Sequence, residues 1–190
     1  MQQLAIFASG TGSNARKIIE YFRDAAEVKV ALVVSNRPQA GVLHIAHEQG
    51  IPTHIIDRVS FYETEDLRTV LHEYEVDFIA LAGFLWLIPP YLVRAFPRKI
   101  INIHPALLPK FGGAGMYGQH VHTAVRAAHE AETGITIHFV DEHYDEGDLI
   151  FQARCPVLPE DTPADIAHRV LGLEHKHFPR VLQEVMRYEL

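Results

Sequence analysis

Apolar and polar residues alternate along this chain in blocks that match the lengths of strands and helices. Continuous apolar runs rich in β-branched residues predict buried strands, and blocks with apolar residues three or four positions apart predict amphipathic helices. Up to residue 104, strands alternate with helices, which is typical of a parallel sheet covered on both faces. The predicted strands are residues 4–9, 28–36, 52–57, 77–84 and 99–104, and the predicted helices are residues 13–25, 41–50, 63–75 and 89–96.

The second half of the chain shows a different order of elements. A helix is predicted over residues 119–131, followed by strands over residues 134–140 and 148–158 that are joined by the acidic segment "DEHYDEG". A connection that is short and rich in turn residues predicts an antiparallel hairpin. A long helix begins near Pro163, and Pro179 within its pattern is expected to kink or interrupt it.

These elements predict a single α/β domain over residues 1–190. The expected fold is a Rossmann-like, mostly parallel sheet with helices on both faces and an antiparallel C-terminal hairpin. A chain of 190 residues is long enough for one domain with a substantial core. No segment of the sequence indicates a repeat or a flexible linker.

Composition narrows the classes of partner. The net charge of −7 argues against a nucleic-acid partner, because phosphate neutralisation needs a basic surface. The sequence has no apolar run of roughly 18 residues, so we expect no membrane span. With one cysteine and no signal-peptide pattern at its start, the chain is expected in the cytoplasm. His120 with His122, and His175 with His177, form His-x-His pairs that have no third ligand in their context, so we expect no metal site. Small molecules are therefore the expected partners.

The segment "SGTGSNA", residues 9–15, follows the first strand and opens the first helix. Glycines at such a point let backbone N–H groups approach an anion at the helix N-terminus. A nicotinamide dinucleotide would call for an acid at the end of the second strand, where the chain has Ser35, Asn36 and Arg37 instead. Two interpretations are left: a tight turn that caps a helix, or a site for the phosphate of a small metabolite.

Asn102 and His104 interrupt an otherwise apolar strand at its carboxyl end. Residues two apart in a strand point the same way, so the amide and the imidazole should share a face while Ile101 and Ile103 pack on the other. Ligands of open parallel sheets bind beyond the carboxyl ends of the strands. An amide donor for an oxyanion and an imidazole for proton transfer suit an acyl transfer to an amine.

A carboxylate near His104 would raise its pKa and favour the charged imidazole. The turn after residue 140 is rich in acids, and the sequence by itself does not choose among them. The candidates are Asp141, Glu142, Asp145, Glu146 and Asp148.

Five segments together resemble the phosphoribosylglycinamide formyltransferases, folate-dependent enzymes of purine synthesis. They occur in the family's order and cover nearly the whole chain, and "NIHPALLP" followed by a D-x-G is typical of folate formyltransferases. The segments are "SGTGSN", "LAGFLWLIPPYLV", "NIHPALLPKFGG", "GITIHFVDEHYDEGDLI" and "RVLGLEHKHFP".

The resemblance implies that a formyl group passes from 10-formyltetrahydrofolate, a co-substrate, to the amine of glycinamide ribonucleotide, without a metal. It implies that Asn102 binds the formyl oxygen, that His104 is the general acid and electrostatic stabiliser, and that Asp145 raises the His104 pKa. Residues 1–100 would be the ribonucleotide-phosphate-binding half and residues 101–190 the catalytic and folate-binding half.

The resemblance also implies binding residues for both substrates. Those for the ribonucleotide are Gly12, Ser13, Asn14 and Glu174. Those for the folate are Leu85, Trp86, Leu87 and Ile88, whose backbone would contact the pterin, with Asn102, Asp141 and Asp145. From the residues alone, a solvated helix charge is the favoured interpretation of Glu174.

Three features depart from the family pattern. Trp86 stands where many relatives have arginine, and it either stacks on the folate or packs in the core. Thr64 stands where some relatives have an arginine that contacts the folate tail, so the way in which this tail is held is open. The glycine-rich segment 111–118 is predicted to be a lid over the ribonucleotide, with an ordinary surface loop as the alternative.

Three other functions compete with glycinamide formylation. A formyltetrahydrofolate hydrolase is disfavoured because such proteins usually carry an N-terminal regulatory domain, and here the expected domain starts at residue 1. A methionyl-tRNA formyltransferase is disfavoured by the acidic composition and by the lack of an RNA-binding C-terminal domain. A non-catalytic nucleotide-binding module would not need Asn102, His104 and Asp145 together. The oligomeric state, monomer or homodimer, is left open.

Overall fold

The computed structural model describes residues 1–188 and contains a seven-stranded sheet in the order β3-β2-β1-β4-β5-β6-β7. β1 to β5 run parallel, whereas β6 pairs antiparallel with both β5 and β7. This confirms the predicted fold class. The strands are β1 Gln2–Phe7, β2 Val28–Ser35, β3 Thr53–Ile55, β4 Phe78–Leu81, β5 Ile100–His104, β6 Glu132–Phe139 and β7 Leu149–Pro156.

Seven helices cover the sheet in the described part of the chain. They are α1 Ser13–Phe22, α2 Gly41–Glu48, α3 Arg58–Tyr62, α4 Asp66–Glu73, α5 Pro90–Ala95, α6 Gln119–Ala127 and α7 Pro163–Tyr188. Within residues 1–188, none of these helices is long and apolar enough to cross a bilayer.

Two hydrophobic cores lie on opposite faces of the sheet. Leu4 and Ile6 of β1 contribute to the core under α1, α2, α6 and α7. Ala5 and Phe7, the alternate residues of the same strand, contribute to the core under α3, α4 and α5. This alternation is expected for a strand buried on both faces, since successive side chains point to opposite sides.

Of the two outcomes expected at Pro179, a kink or an interruption of the last helix, the interruption was wrong, because α7 runs from residue 163 to 188 without a break. Pro179 is itself buried, and Phe178, Val181 and Leu182 beside it are almost fully buried in the core. Proline removes one backbone hydrogen bond from a helix. The apolar area buried on this side of α7 offsets that loss, so the helix continues.

The short helix α3 was not predicted from the sequence. Asp57 accepts a hydrogen bond from the Ser60 backbone N–H at 2.9 Å, and the Ser60 hydroxyl accepts one from the Asp57 N–H at 3.1 Å. This reciprocal capping box fixes the start of a helix of only five residues. A helix this short has too few residues to show a helical period, so apolar patterning does not reveal it.

β1 lies between β2 and β4, so the chain leaves β1 in one direction along the sheet and returns to its other side. Such a point opens a crevice at the carboxyl ends of the strands. Gly12, with φ of 82°, makes the turn from β1 into α1, and a Cβ there would lie 2.8 Å from Val42 Cα. The loop after β1 therefore packs directly on the first turn of α2.

Candidate active site

A cavity of about 810 Å³ opens at the carboxyl ends of β1, β4 and β5. Its walls come from the loops after these three strands, from the glycine-rich segment, from the β6–β7 turn and from α7. Nearly all of the residues predicted as site residues lie in these walls. They are Asn14, Leu85, Trp86, Leu87, Ile88, Asn102, His104, Asp145 and Glu174.

Asp145 joins the predicted catalytic residues into one hydrogen-bonded group. Its Oδ1 accepts a hydrogen bond from Asn102 Nδ2 at 3.3 Å, and its Oδ2 lies 3.4 Å from His104 Nδ1. Asn102 and His104 therefore share a face of β5, as the two-residue period of a strand predicts. Of the five acids that the sequence left open, Asp145 is the one beside His104.

His138 completes this group from the neighbouring strand. It pairs with Asn102 across β5 and β6, and its Nε2 lies 3.1 Å from Asn102 Nδ2 and 3.5 Å from Asp145 Oδ1. Its Nδ1 lies 2.7 Å from the Phe139 carbonyl oxygen. His138 thus supports the carboxylate from the side opposite His104.

The turn between β6 and β7 places the Asp145 carboxylate. Asp145 has φ of 57°, in the left-handed region that aspartate tolerates better than most residues. Gly147 lets the turn close, because a Cβ at this position would lie 1.9 Å from the Phe139 carbonyl oxygen. This contact is the physical reason for a glycine two residues after the acid.

The glycine-rich segment 111–118 contacts the same group through its backbone. The carbonyl oxygen of Phe111 lies 2.8 Å from His104 Nε2, and the N–H of Gly113 donates to Asp145 Oδ2 at 2.9 Å. Met116 and Tyr117 of this segment line the cavity. The lid function is still a prediction, but the segment holds both the imidazole and the carboxylate.

Burial lowers the pKa of His104, and the nearby Asp145 carboxylate and Phe111 carbonyl raise it without reversing the net shift. Asp145 does raise this pKa, as expected from the sequence, but burial has the larger effect and the net shift is downward. The ring is only 3% exposed, and the loss of hydration of a charged imidazole outweighs the attraction of one carboxylate.

Burial raises the pKa of Asp145, but its contacts reverse that effect and the net pKa is lowered. The hydrogen bond with His138, the charges of the two histidines and the Gly113 N–H all stabilise the carboxylate. The site therefore favours the charged form of Asp145 and disfavours the charged form of His104.

Glu174 lies at the other end of the cavity and is only 9% exposed. The interpretation as a solvated helix charge was wrong. Its Oε2 accepts a hydrogen bond from Asn14 Nδ2 at 2.6 Å, and Asn14 Oδ1 is buried with no partner in the described structure. Burial raises the pKa of Glu174, and the Asn14 hydrogen bond offsets this only in part.

Comparison with known proteins identifies the family. A family model described as formyl transferase matches residues 2–182. The chain belongs to the formyl transferase family. A phosphoribosylglycinamide formyltransferase of Bacillus subtilis is 37% identical over 191 residues, which cover 98% of this chain and 95% of that protein. A chloroplastic one from Arabidopsis thaliana is 44% identical over 187 residues, 95% of this chain and 64% of the relative.

Solved structures support the same assignment within the formyl transferase family. The phosphoribosylglycinamide formyltransferase of Anaplasma phagocytophilum superposes with a TM-score of 0.89 at 35% identity, over 97% of this chain and 86% of that one. The enzyme of Bacillus halodurans gives a TM-score of 0.87 at 34% identity, over 100% and 97% of the two chains. The chain spans about three-fifths of the length of the plant relatives that it matches.

Three of the residues assigned to this formyl transferase from its family motifs lie outside the cavity walls. Gly12 and Ser13 do not line the cavity, although their neighbours Ser9, Gly10 and Thr11 do. Asp141 also lies outside, and its carboxylate accepts a hydrogen bond from the His143 backbone N–H at 2.8 Å. Gly12 therefore shapes the loop, and Asp141 shapes the turn that carries Asp145.

The segment expected to contact the pterin already has hydrogen-bond partners in the protein. The Leu85 N–H donates to the Ser9 hydroxyl at 3.1 Å, and the Leu87 carbonyl accepts from the Tyr62 hydroxyl at 3.0 Å. These bonds fix the conformation of the backbone before any ligand binds. Since a carbonyl oxygen has two lone pairs, Leu87 can still accept a bond from a ligand.

Trp86 belongs to the cavity wall and to an aromatic cluster at once. Its ring centroid lies 5.6 Å from that of Phe61, 6.0 Å from that of Tyr62 and 6.3 Å from that of Phe84. The side chain is half-buried and also lines the cavity. The packing interpretation is confirmed by these ring contacts, and stacking on the folate stays a prediction for the part of the ring that faces the cavity.

Sequence reasoning missed two residues of the wall. Arg37, at the carboxyl end of β2, is the only lysine or arginine among residues 1–188 that lines the cavity. His122 in the first turn of α6 is 5% exposed, and its Nδ1 has no partner in the described structure. The position of Arg37 beyond a strand end was a usable signal. Nothing in the sequence indicates that the glycine-rich segment brings His122 inward.

The described residues contain no group of three or more histidine, cysteine or acidic side chains placed to hold a metal ion. The two His-x-His pairs provide no such group in this part of the chain.

Proposed function

We propose that this chain transfers the formyl group of 10-formyltetrahydrofolate to the amine of 5'-phosphoribosylglycinamide, a step of de novo purine biosynthesis. The observation that carries the proposal is the Asp145 carboxylate, which contacts both Asn102 and His104 within the cavity. An amide donor, an imidazole and a buried anion on one wall are the groups that acyl transfer to an amine requires. The name that the relatives share supports this choice of substrate.

The proposed reaction begins when the amine nitrogen attacks the formyl carbon. The carbonyl oxygen gains negative charge as the tetrahedral intermediate forms, and Asn102 Nδ2 donates a hydrogen bond to it in place of one of its present partners. The bond between the formyl carbon and N10 of the folate then breaks. The amine loses one proton and N10 gains one, so the transfer is balanced without another reactant.

His104 is proposed to carry that proton. Burial disfavours the charged imidazole, so the ring can accept a proton from the attacking amine at Nε2 once this atom is released from the Phe111 carbonyl oxygen. The developing negative charge on the oxygen, together with Asp145, then stabilises the protonated ring. His104 in this state acts as the general acid toward N10 and as the electrostatic stabiliser of the intermediate.

The ribonucleotide is proposed to occupy the end of the cavity formed by the loop after β1. Arg37 and the N-terminus of α1 would balance the phosphate charge, and Asn14 with Glu174 would contact the ribose. Ser13 and Gly12 would contribute backbone N–H groups after a small adjustment of the loop. Residues 1–100 thereby serve mainly the ribonucleotide.

The folate is proposed to lie along residues 85–88 with its formyl group toward Asn102. Residues 101–190 then supply the catalytic group, and residues 85–88 extend the folate site into the first half of the chain. The protein is proposed to be a monomer or a homodimer and to be located in the cytoplasm. The plant relatives are named chloroplastic, so location varies among proteins of this name.

One assay separates the candidate functions. Purified protein is mixed with 10-formyltetrahydrofolate, with and without the ribonucleotide, and tetrahydrofolate and formylated product are both measured. Product that forms only with the ribonucleotide supports the proposal. Tetrahydrofolate released at the same rate without the ribonucleotide would instead identify a hydrolase. Replacement of His104 by alanine should reduce turnover by about 10³-fold, and near-normal turnover would contradict the mechanism.

A further inference from the structure

A guanidinium group lies over the aromatic wall of the cavity. The Arg58 guanidinium carbon is 5.3 Å from the Trp86 ring centroid, within the range of a cation–π contact. Arg58 is exposed, and no carboxylate of residues 1–188 lies within ion-pair distance of it. Its charge is thus held in place by a ring, and the described structure provides no acid to neutralise it.

The position of this pair is fixed from both sides. Arg58 is the first residue of α3, and the Asp57–Ser60 capping box fixes the start of that helix. The Trp86 ring is packed against Phe61 and Tyr62, and the Tyr62 hydroxyl donates to the Leu87 carbonyl beside Trp86. Helix α3 and the proposed folate segment therefore form one packed unit.

The charge distribution along the cavity shows where a second anion can bind. Arg37, the one lysine or arginine of the wall in the described structure, lies at the proposed ribonucleotide end. A 10-formylfolate has a pterin, a benzoyl ring and then a glutamate with two carboxylates. A pterin held against residues 85–88 directs that glutamate out of the cavity, and Arg58 is the cation attached to this wall.

Thr64 does not provide an alternative anchor for the glutamate. Its hydroxyl donates a hydrogen bond to the Ser60 carbonyl at 3.0 Å, so it stabilises the junction of α3 and α4. Arg68 on α4 is already paired with Glu65 at 2.9 Å. Among the basic residues near this wall, Arg58 is the one whose guanidinium is both oriented and unneutralised.

We propose that Arg58, stacked on Trp86, binds the glutamate carboxylates of the formyl donor and so gives this chain its preference for glutamylated folates. The inference rests on the proposed function, which supplies the donor. The planar guanidinium can form two parallel hydrogen bonds to one carboxylate while its face contacts the indole. Trp86 can at the same time contact the benzoyl ring of the donor.

The test compares two donors that differ only in the glutamate: 10-formyltetrahydrofolate and 10-formyltetrahydropteroate. Arg58→Ala should raise the KM of the first donor roughly fivefold, because an exposed ion pair contributes modestly. It should leave the KM of the second donor and the kcat of both unchanged. Arg58→Lys should recover part of the effect, and Arg68→Ala is the matched control that should change neither KM.

Salt provides a second readout that a structural role for Arg58 would not produce. The KM difference between the two donors should shrink as ionic strength rises, because screening weakens an exposed ion pair. Equal changes of KM for both donors in Arg58→Ala would overturn the proposal, since they would indicate damage to the wall. No change for either donor would overturn it as well.

Binding can be measured separately from catalysis because Trp86 is the only tryptophan of the chain. Its fluorescence should report the binding of tetrahydrofolate and of tetrahydropteroate, and Arg58→Ala should weaken only the first, again about fivefold. Failure to formylate the ribonucleotide together with this selective loss would contradict the proposed function but keep the glutamate site. Formylation of the ribonucleotide together with unchanged tetrahydrofolate binding in Arg58→Ala would support the proposed function and contradict the glutamate site.

Discussion

Two carboxyl groups at opposite ends of one cavity, the buried Glu174 and the partly buried Asp145, have pKa values shifted in opposite directions. Asp145 accepts hydrogen bonds from Asn102 and Gly113 and lies beside two imidazoles, and its pKa is lowered. Glu174 has one hydrogen-bond donor, Asn14, and its pKa is raised. Burial works in the same direction on both groups, so the number and charge of their partners decide the difference.

This difference divides the cavity by function. The lowered pKa of Asp145 favours a negative charge at the end where proton transfer is proposed. The raised pKa of Glu174 favours the neutral acid at the other end, which would reduce repulsion of the phosphate proposed to bind there. We hypothesise that Asp145 acts in the chemistry as a charged acid and that Glu174 acts in binding as an uncharged acid. The following predictions test this hypothesis.

The largest expected effect is on Asp145, because its charge takes part in proton transfer. Asp145→Asn keeps the shape of the side chain and removes the charge, and kcat should fall about 10³-fold with little change in KM. Glu174→Gln is the matched substitution at the other end and should keep kcat within about threefold. Steady-state formyl transfer measures both, and equal losses in kcat would remove the distinction between the two carboxyl groups.

Arg37 should give the next largest effect, on binding alone. Arg37 is the one lysine or arginine of the described cavity walls and is proposed to contact the phosphate, so Arg37→Ala should raise the KM for the ribonucleotide about 30-fold, as for a lost charged hydrogen bond. The kcat and the KM for the folate should not change. Arg23→Ala, an exposed arginine at the far end of α1, is the control. A rise in the folate KM instead would place Arg37 at the wrong end of the cavity.

Some features of the site could be predicted from the sequence, because they depend on the spacing of residues that are close together in the chain. The shared face of Asn102 and His104 follows from the two-residue repeat of a strand, and their position at the sheet edge follows from the alternation of strands and helices. The seven strands were predicted for the same reason. The local sequence pattern was sufficient to predict the structure wherever a residue's environment is determined by its neighbours in the sequence.

The other parts depend on distant contacts. The turn that carries Asp145 contains four other acids, and the choice requires the approach of Gly147 to the Phe139 carbonyl oxygen. The state of Glu174 depends on Asn14, which is 160 positions away. The direction of the His104 pKa shift requires its burial, which no motif specifies. The family resemblance identified Asp145, but it did not indicate the directions of these pKa shifts.

His138 should show how the low pKa of Asp145 is maintained. Loss of its contact in His138→Ala should let burial raise the pKa of Asp145, so that the acidic limb of the kcat/KM profile moves to higher pH. The kcat at neutral pH should fall roughly tenfold, the value of one hydrogen bond to a charged group. His138→Gln, which keeps an N–H toward Asp145, should move the limb less. If the acidic limb of the kcat/KM profile does not move in His138→Ala, the other partners of Asp145 are sufficient to keep its pKa low.

The smallest expected effect is on stability, and it separates the two carboxyl groups without any substrate. A group whose pKa is raised by folding stabilises the protein fully below its unfolded pKa, and this contribution is lost as pH rises through the folded pKa. For Glu174 the loss begins above 4.5, the ordinary pKa of a glutamate side chain. Asp145 has the opposite sign, because its contribution is present above the unfolded pKa and is lost in acid.

Glu174→Gln should therefore remove the decline of stability on the alkaline side. The amide is neutral at every pH, and it can donate to Asn14 Oδ1, which is buried without a partner in the described structure. Urea unfolding should show a gain of about 1 kcal/mol at pH 8 and little difference near pH 4.5. Glu184→Gln, at an exposed position of the same helix, should show no such dependence on pH. A constant difference across this range would mean that Glu174 is already charged in the folded protein, and the contrast with Asp145 would then be lost.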